Sequence, residues 1–140
     1  MNFELQFTFE EYLSPVYGGI FYIQDMEIDA LRKYCLSLAA TTEDVKWDND
    51  LCFSVGGKMY CIAALDAPFK CSFKVNDEEF EELSNRNGFM PAPYMARAKW
   101  VLVTNPSKLS KKEWERYIEQ SYELVKKKLT KKVKEQLGIQ

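Results

Sequence analysis

The residues best suited to do chemistry lie in the last third of the chain, where Arg97, Lys99, Trp100 and Lys108 are followed by Lys126, Lys127, Lys128, Lys131, Lys132 and Lys134. Lys and Arg gain affinity for phosphate by releasing its counterions, and an exposed aromatic ring stacks on a base. This mixture is therefore the minimum that a nucleic-acid surface needs. The charge is unevenly divided: residues 1–93 hold 7 Lys/Arg against 16 Asp/Glu, a net of −9, whereas residues 94–140 hold 12 against 5, a net of +7, within a total of −2. Such asymmetry marks a surface for nucleic acid, anionic lipid or an acidic partner. The competing reading is that the lysines solvate a terminal helix, whose C-terminal end favours cations without any partner. Trp100 and Tyr122 each sit in an apolar pattern and read as core rather than as stacking platforms.

Other chemistries have thin support. The chain has no histidine, so the usual general base near neutral pH is missing and a Cys/His zinc site cannot be built. Cys35, Cys52, Cys61 and Cys71 form no CxxC pair and read as small core residues or free thiols, three of them in strands. Glu43, Asp44, Asp48 and Asp50 lack the spacing of a calcium loop and read as a solvated acidic loop. Gly56-Gly57-Lys58 resembles a phosphate-loop fragment, but Met59 stands where Ser or Thr is needed, and a hairpin turn explains it fully. No acid, base and nucleophile converge, so the expectation is a protein that binds rather than catalyses, with no cofactor and no metal.

The elements that position the basic residues follow from periodicity. Ile28, Leu31, Cys35 and Leu38 recur at helical spacing, ending near Ala39–Thr42. The acidic stretch through Asp50 reads as loop or irregular edge strand, with Trp47 as its apolar anchor. Leu51, Phe53 and Val55 alternate up to a Gly56-Gly57 turn, Lys58 to Leu65 runs back, and Phe69, Cys71, Phe73 and Val75 line one face of a third strand, which gives an antiparallel meander. Asn76 followed by Asp77, Glu78 and Glu79 starts a short acidic helix ending near Arg86, a poor candidate for touching phosphate. Lys99 to Thr104 reads as a further strand, with Arg97 and Lys99 on the Val101 face and Trp100 opposite. Ser110 and Glu113 form a capping box for a long last helix, with an apolar stripe of Trp114, Tyr117, Ile118, Tyr122, Val125 and Leu129 and with the lysines at its C-terminal end.

The order of helix, VGGKMYCIAAL hairpin, NDEEFEEL helix start, PAPYMARAKWV and SYELVKKKLTKK resembles the MmcQ/YjbR family of small bacterial proteins, from Met26 to about Leu137. Its most specific parts are the Met95 to Trp100 spacing and Ser121 to Val125. The resemblance implies an α+β fold of the secretion-chaperone-like or frataxin-like type, with helices packed on one antiparallel sheet. It also implies DNA binding by a double-wing arrangement, with Lys58 in the first hairpin, Arg97 and Lys99 before the later strand and Lys108 after it as contacts. Two departures stand out: Leu38-Ala39-Ala40 replaces the Leu-Pro-Gly common in members, and Tyr94 and Ala96 replace the His and Asn that often flank the central Met.

The expectation is thus one α+β domain over residues 26–140. Residues 1–25 form an aromatic N-terminal extension, either an added hairpin or a segment outside the core preceding a natural start at Met26. With no secretory signal and no apolar run near the roughly 20 residues of a membrane span, the expected setting is the cytoplasm. DNA is the expected ligand, contacted at phosphates without base readout through Lys58, Arg97, Lys99, Lys108, Lys128, Lys131 and Lys132. The alternative is a protein-interaction module that docks a partner or a second copy as a weak homodimer.

Overall fold

The computed structural model describes residues 26–140, so the expected N-terminal hairpin lies outside the described residues. Helix α1 (Ile28–Leu36) leads into strands β1 (Thr41–Lys46), β2 (Asp50–Val55), β3 (Lys58–Ala64) and β4 (Cys71–Lys74). Helix α2 (Asp77–Ser84), strand β5 (Phe89–Pro91), a 3-10 turn at Ala96–Ala98 and strand β6 (Trp100–Val103) follow. A second 3-10 turn (Pro106–Lys108) precedes α3 (Lys111–Lys127) and α4 (Lys131–Leu137). The six strands form one antiparallel sheet in the order β1-β2-β3-β4-β6-β5, the α+β architecture expected.

Local chemistry sets the boundaries. Gly56 and Gly57 both take positive φ in the β2–β3 turn, and a Cβ on Gly56 would lie 2.7 Å from Leu129 Cδ1, so this turn sits tightly against the junction of the last two helices. Asn76 caps α2 by accepting from the Glu79 N–H, and Ser110 and Glu113 cap α3 reciprocally. The apolar stripe of α3 covers the sheet: Trp114 packs edge-on to Phe73 and donates its indole N–H to the Pro106 carbonyl, while Tyr117 stacks on Phe73. All four cysteines are buried and free.

Ser121, fully buried within α3, joins helix and sheet. The β3–β4 ladder closes at Cys61↔Phe73, and the next pair in register would be Tyr60 with Lys74. The Ser121 hydroxyl occupies that step instead, donating to the Tyr60 carbonyl at 2.6 Å and receiving the Lys74 N–H at 2.9 Å. The register of β2 against β3 jumps from Phe53↔Cys61 to Ser54↔Met59, leaving Tyr60 as the extra residue of a bulge, its side chain turned into the core. Its hydroxyl reaches Thr41 Oγ1 and donates to the Cys35 carbonyl, while the Tyr122 hydroxyl donates to Ala39. The two rings meet edge to face, so α1, the sheet and α3 are tied at one point.

Several expectations are corrected. The single long last helix is two helices, because Lys128 closes α3 and Thr130 caps α4. The expected Lys99–Thr104 strand is Trp100–Val103, with Lys99 left-handed at φ 66 and Arg97 in the preceding 3-10 turn, so the alternation that placed Arg97 and Lys99 beside Val101 does not hold. Strand β5 had no counterpart in the expected elements. Trp47, expected as an anchor, is 65% exposed. Among the described residues no helix is long and apolar enough to cross a membrane.

Replacing Ser121 by Ala leaves a buried N–H and a buried carbonyl unpaired, and should lower unfolding free energy by about 1–3 kcal/mol, read as a reduced urea midpoint; an unchanged midpoint contradicts the wedge.

Candidate nucleic-acid interface

The topology decides which basic residues meet. Strands β3 and β6 both run antiparallel to β4, so both start at the same end of the sheet. Strand β3 starts from the Gly56-Gly57 turn, and β6 from the loop that follows β5, so the tips of both hairpins stand at that end. Lys74 closes β4 there, opposite Trp100. The α3–α4 junction arrives as well, since Leu129 and Val133 lie against Gly56. One end of the sheet therefore carries Lys58, Lys74, Arg97, Lys99 and Lys128, with Lys131 and Lys132 on the adjoining first turn of α4.

Lys108 is not part of this group. Its Cγ lies 2.6 Å from where a Cβ on Gly88 would stand, and Gly88 accepts the Thr104 and Asn105 N–H groups at the far end of β6. The length of β6 and its flanks, roughly 15 Å of extended chain, separates Lys108 from Lys99.

Two groups were not singled out by the sequence. The Lys74 ammonium donates to the Ala98 carbonyl and so clasps the loop before β6. Its pKa is pushed below the ordinary lysine value, first by burial and then by the like charges of Lys128 and Lys99, against the opposing pull of Asp77. Lys99 and Lys128 thus both lie within electrostatic reach of Lys74. Tyr94, noted only as a substituted family position, is wholly exposed at the tip of the same loop. The contact of Lys74 joins residues 24 apart in sequence, a distance that periodicity cannot bridge.

The other cations are held differently. Lys99 rests its ammonium 5.0 Å from the centre of the Phe80 ring, while its carbonyl accepts the Val75 N–H. Lys58, Arg97, Lys128, Lys131 and Lys132 are exposed, and none of the seven residues expected at the site has a carboxylate within 4.0 Å among the described residues. Lys131 and Lys132 occupy the first turn of α4, where the helix dipole opposes positive charge, so the favourable C-terminal placement expected for them does not apply. In the expected acidic loop, Glu43 is engaged by Arg32 at 2.6 Å, which lowers its pKa. Among the described residues no three His, Cys, Asp or Glu side chains gather to hold a metal ion.

The YjbR family model matches residues 36–124. The chain belongs to the YjbR family. A crystal structure of a Deinococcus radiodurans protein with a DUF419 family domain superposes with a TM-score of 0.72 at 30% identity, covering 80% of this chain and 88% of that one. A Pseudomonas syringae protein matches with a TM-score of 0.60 at 22% identity, covering 71% of this chain and 99% of the other, a likeness of fold alone. No curated protein matches. The matched segment of this YjbR protein includes both hairpins and the Ser121 wedge, but stops before Lys128 and α4.

The like-charge contact is directly testable. Replacing Lys128 by Met removes repulsion from Lys74, so the Lys74 pKa should rise toward the ordinary lysine value, followed by NMR titration of its side-chain carbon; a pKa that stays in place shows the two amines to be apart.

Proposed function

We propose that this protein binds DNA non-specifically, contacting phosphates with the basic end of the sheet, and that it has no catalytic role. The observation that carries this reading is the gathering at one end of the sheet of Lys74, Lys99 and Lys128, the last two both setting like charge against Lys74. Lys58 and Arg97 extend the positive surface along the two hairpin tips, and Lys131 and Lys132 extend it along α4. Phosphate contact suits these residues because, among the described residues, no groove-entering element that would read base edges is identified. The acidic first turn of α2 borders the surface through Asp77, which confines a DNA track to the hairpin and α3–α4 side.

Affinity for a short duplex should fall steeply as salt rises. The double variant Lys99→Ala, Lys128→Ala should flatten the log–log slope by about 1.8, at roughly 0.9 for each phosphate no longer neutralised, while Lys108→Ala, altered at the other end of the sheet, should leave it unchanged. Absence of binding at low salt rejects the reading.

A second reading, self-association through the β1 edge, is favoured by one observation. Trp47, Val45 and Leu65 are 65%, 54% and 46% exposed around the β1–β2 turn, where Leu65 donates its N–H to Asn49. Among the described residues β1 has no neighbour on its outer side, which leaves a row of hydrogen-bonding groups suited to a second copy. Light scattering at increasing concentration should show dimer that Trp47→Ser abolishes; a constant monomer mass rules it out.

A further inference from the structure

We infer that Tyr94 is a stacking platform for an unpaired base, so that the basic end of the sheet prefers single-stranded DNA to duplex. This rests on the phosphate-binding reading and adds the form of nucleic acid that the site takes. Tyr94 is 105% exposed, more than any other large apolar residue described, and its backbone is left-handed at φ 67. A bulky side chain rarely adopts that conformation, and it persists only where surrounding structure enforces it. Here the loop between β5 and β6 is closed on itself: Ala92 N–H donates to Trp100 O, Trp100 N–H to Met95 O, and Met95 N–H to Ala92 O. Trp100, 4% exposed, anchors the base of the loop, and Lys74 clasps Ala98 from β4. The result is an aromatic ring held out from the protein on a braced loop that also carries Arg97 and Lys99.

An aromatic ring beside two phosphate-seeking cations matches a single strand, whose bases offer their faces while its backbone offers charge. A duplex buries those faces in its own stack and gives the ring nothing to cover. Among the described residues the Tyr94 ring is fully exposed. Stacking is indifferent to base identity, which agrees with binding that lacks sequence readout.

The experiment compares a labelled oligothymidine with a hairpin duplex of equal length, by fluorescence anisotropy at low salt, using the full chain. The unsubstituted protein should bind the single strand more tightly. Tyr94→Ala should weaken single-strand binding about tenfold, in the range that removing one base–aromatic stack produces, with duplex affinity and both salt slopes unchanged, and Tyr94→Phe should retain the preference. Salt-dependent binding that ignores Tyr94→Ala, or that falls equally for both DNA forms, overturns the stacking role and leaves the phosphate reading standing. Failure of the unsubstituted protein to bind either form overturns both.

Discussion

The structure depends on one serine hydroxyl placed where two strands part. The bulge at Tyr60 ends the β3–β4 ladder one step early, and without Ser121 the Tyr60 carbonyl and the Lys74 N–H would be buried and unpaired. Because Ser121 belongs to α3, the same hydroxyl fixes where that helix crosses the sheet. The bulge in turn directs Tyr60 inward to meet Tyr122, and their hydroxyls occupy the Cys35 and Ala39 carbonyls at the end of α1. A buried polar network of this kind specifies register only when every member is satisfied, and here each of these groups has its partner.

The site inherits its geometry from that crossing. With α3 fixed at Ser121, its C-terminal end arrives beside the first hairpin, where Leu129 meets Gly56, and Lys128 is carried toward Lys74. Lys74 is adjacent to the wedge through its backbone and clasps the second hairpin through its side chain, so one residue couples the helix, the sheet and the Tyr94 loop. Burial lowers its proton affinity, and the neighbouring Lys128 and Lys99 lower it further.

Much of the scaffold was legible because its signals are local. The Gly-Gly turn, the Asn76 cap, the Ser110–Glu113 capping box and the apolar stripe of α3 each act within a few residues, and each forms as expected. Strand β5 escaped because it is three residues long and ends in Pro91, a residue that argues against strand yet suits a sheet edge. Thr130 is a good helix cap, but the lysine-rich sequence around it continues the helical pattern and hides the break. The left-handed Lys99 ended the strand alternation, and no periodicity announces a positive φ at lysine. Trp47 looked like core by type alone; the β1–β2 turn, left-handed at Trp47 and Asp48, holds it outside.

The charge asymmetry of the sequence thus has two parts that only the fold separates. Lys126 is engaged locally, paired with Glu123 at 3.1 Å and set over the Tyr122 ring, and Lys108 covers Gly88 at the opposite end of the sheet. Lys131 and Lys132 sit against the helix dipole, and Lys99 and Lys128 both set like charge against Lys74. A surface lysine selected only for solvation has no reason to occupy such a position, because any outward-facing site would serve as well. Unfavourable electrostatics gathered at one end of a sheet, beside a strained and fully exposed tyrosine, is instead what a polyanion would relieve. Where the lysines stand, more than how many there are, is what supports reading this end as a surface for a polyanion.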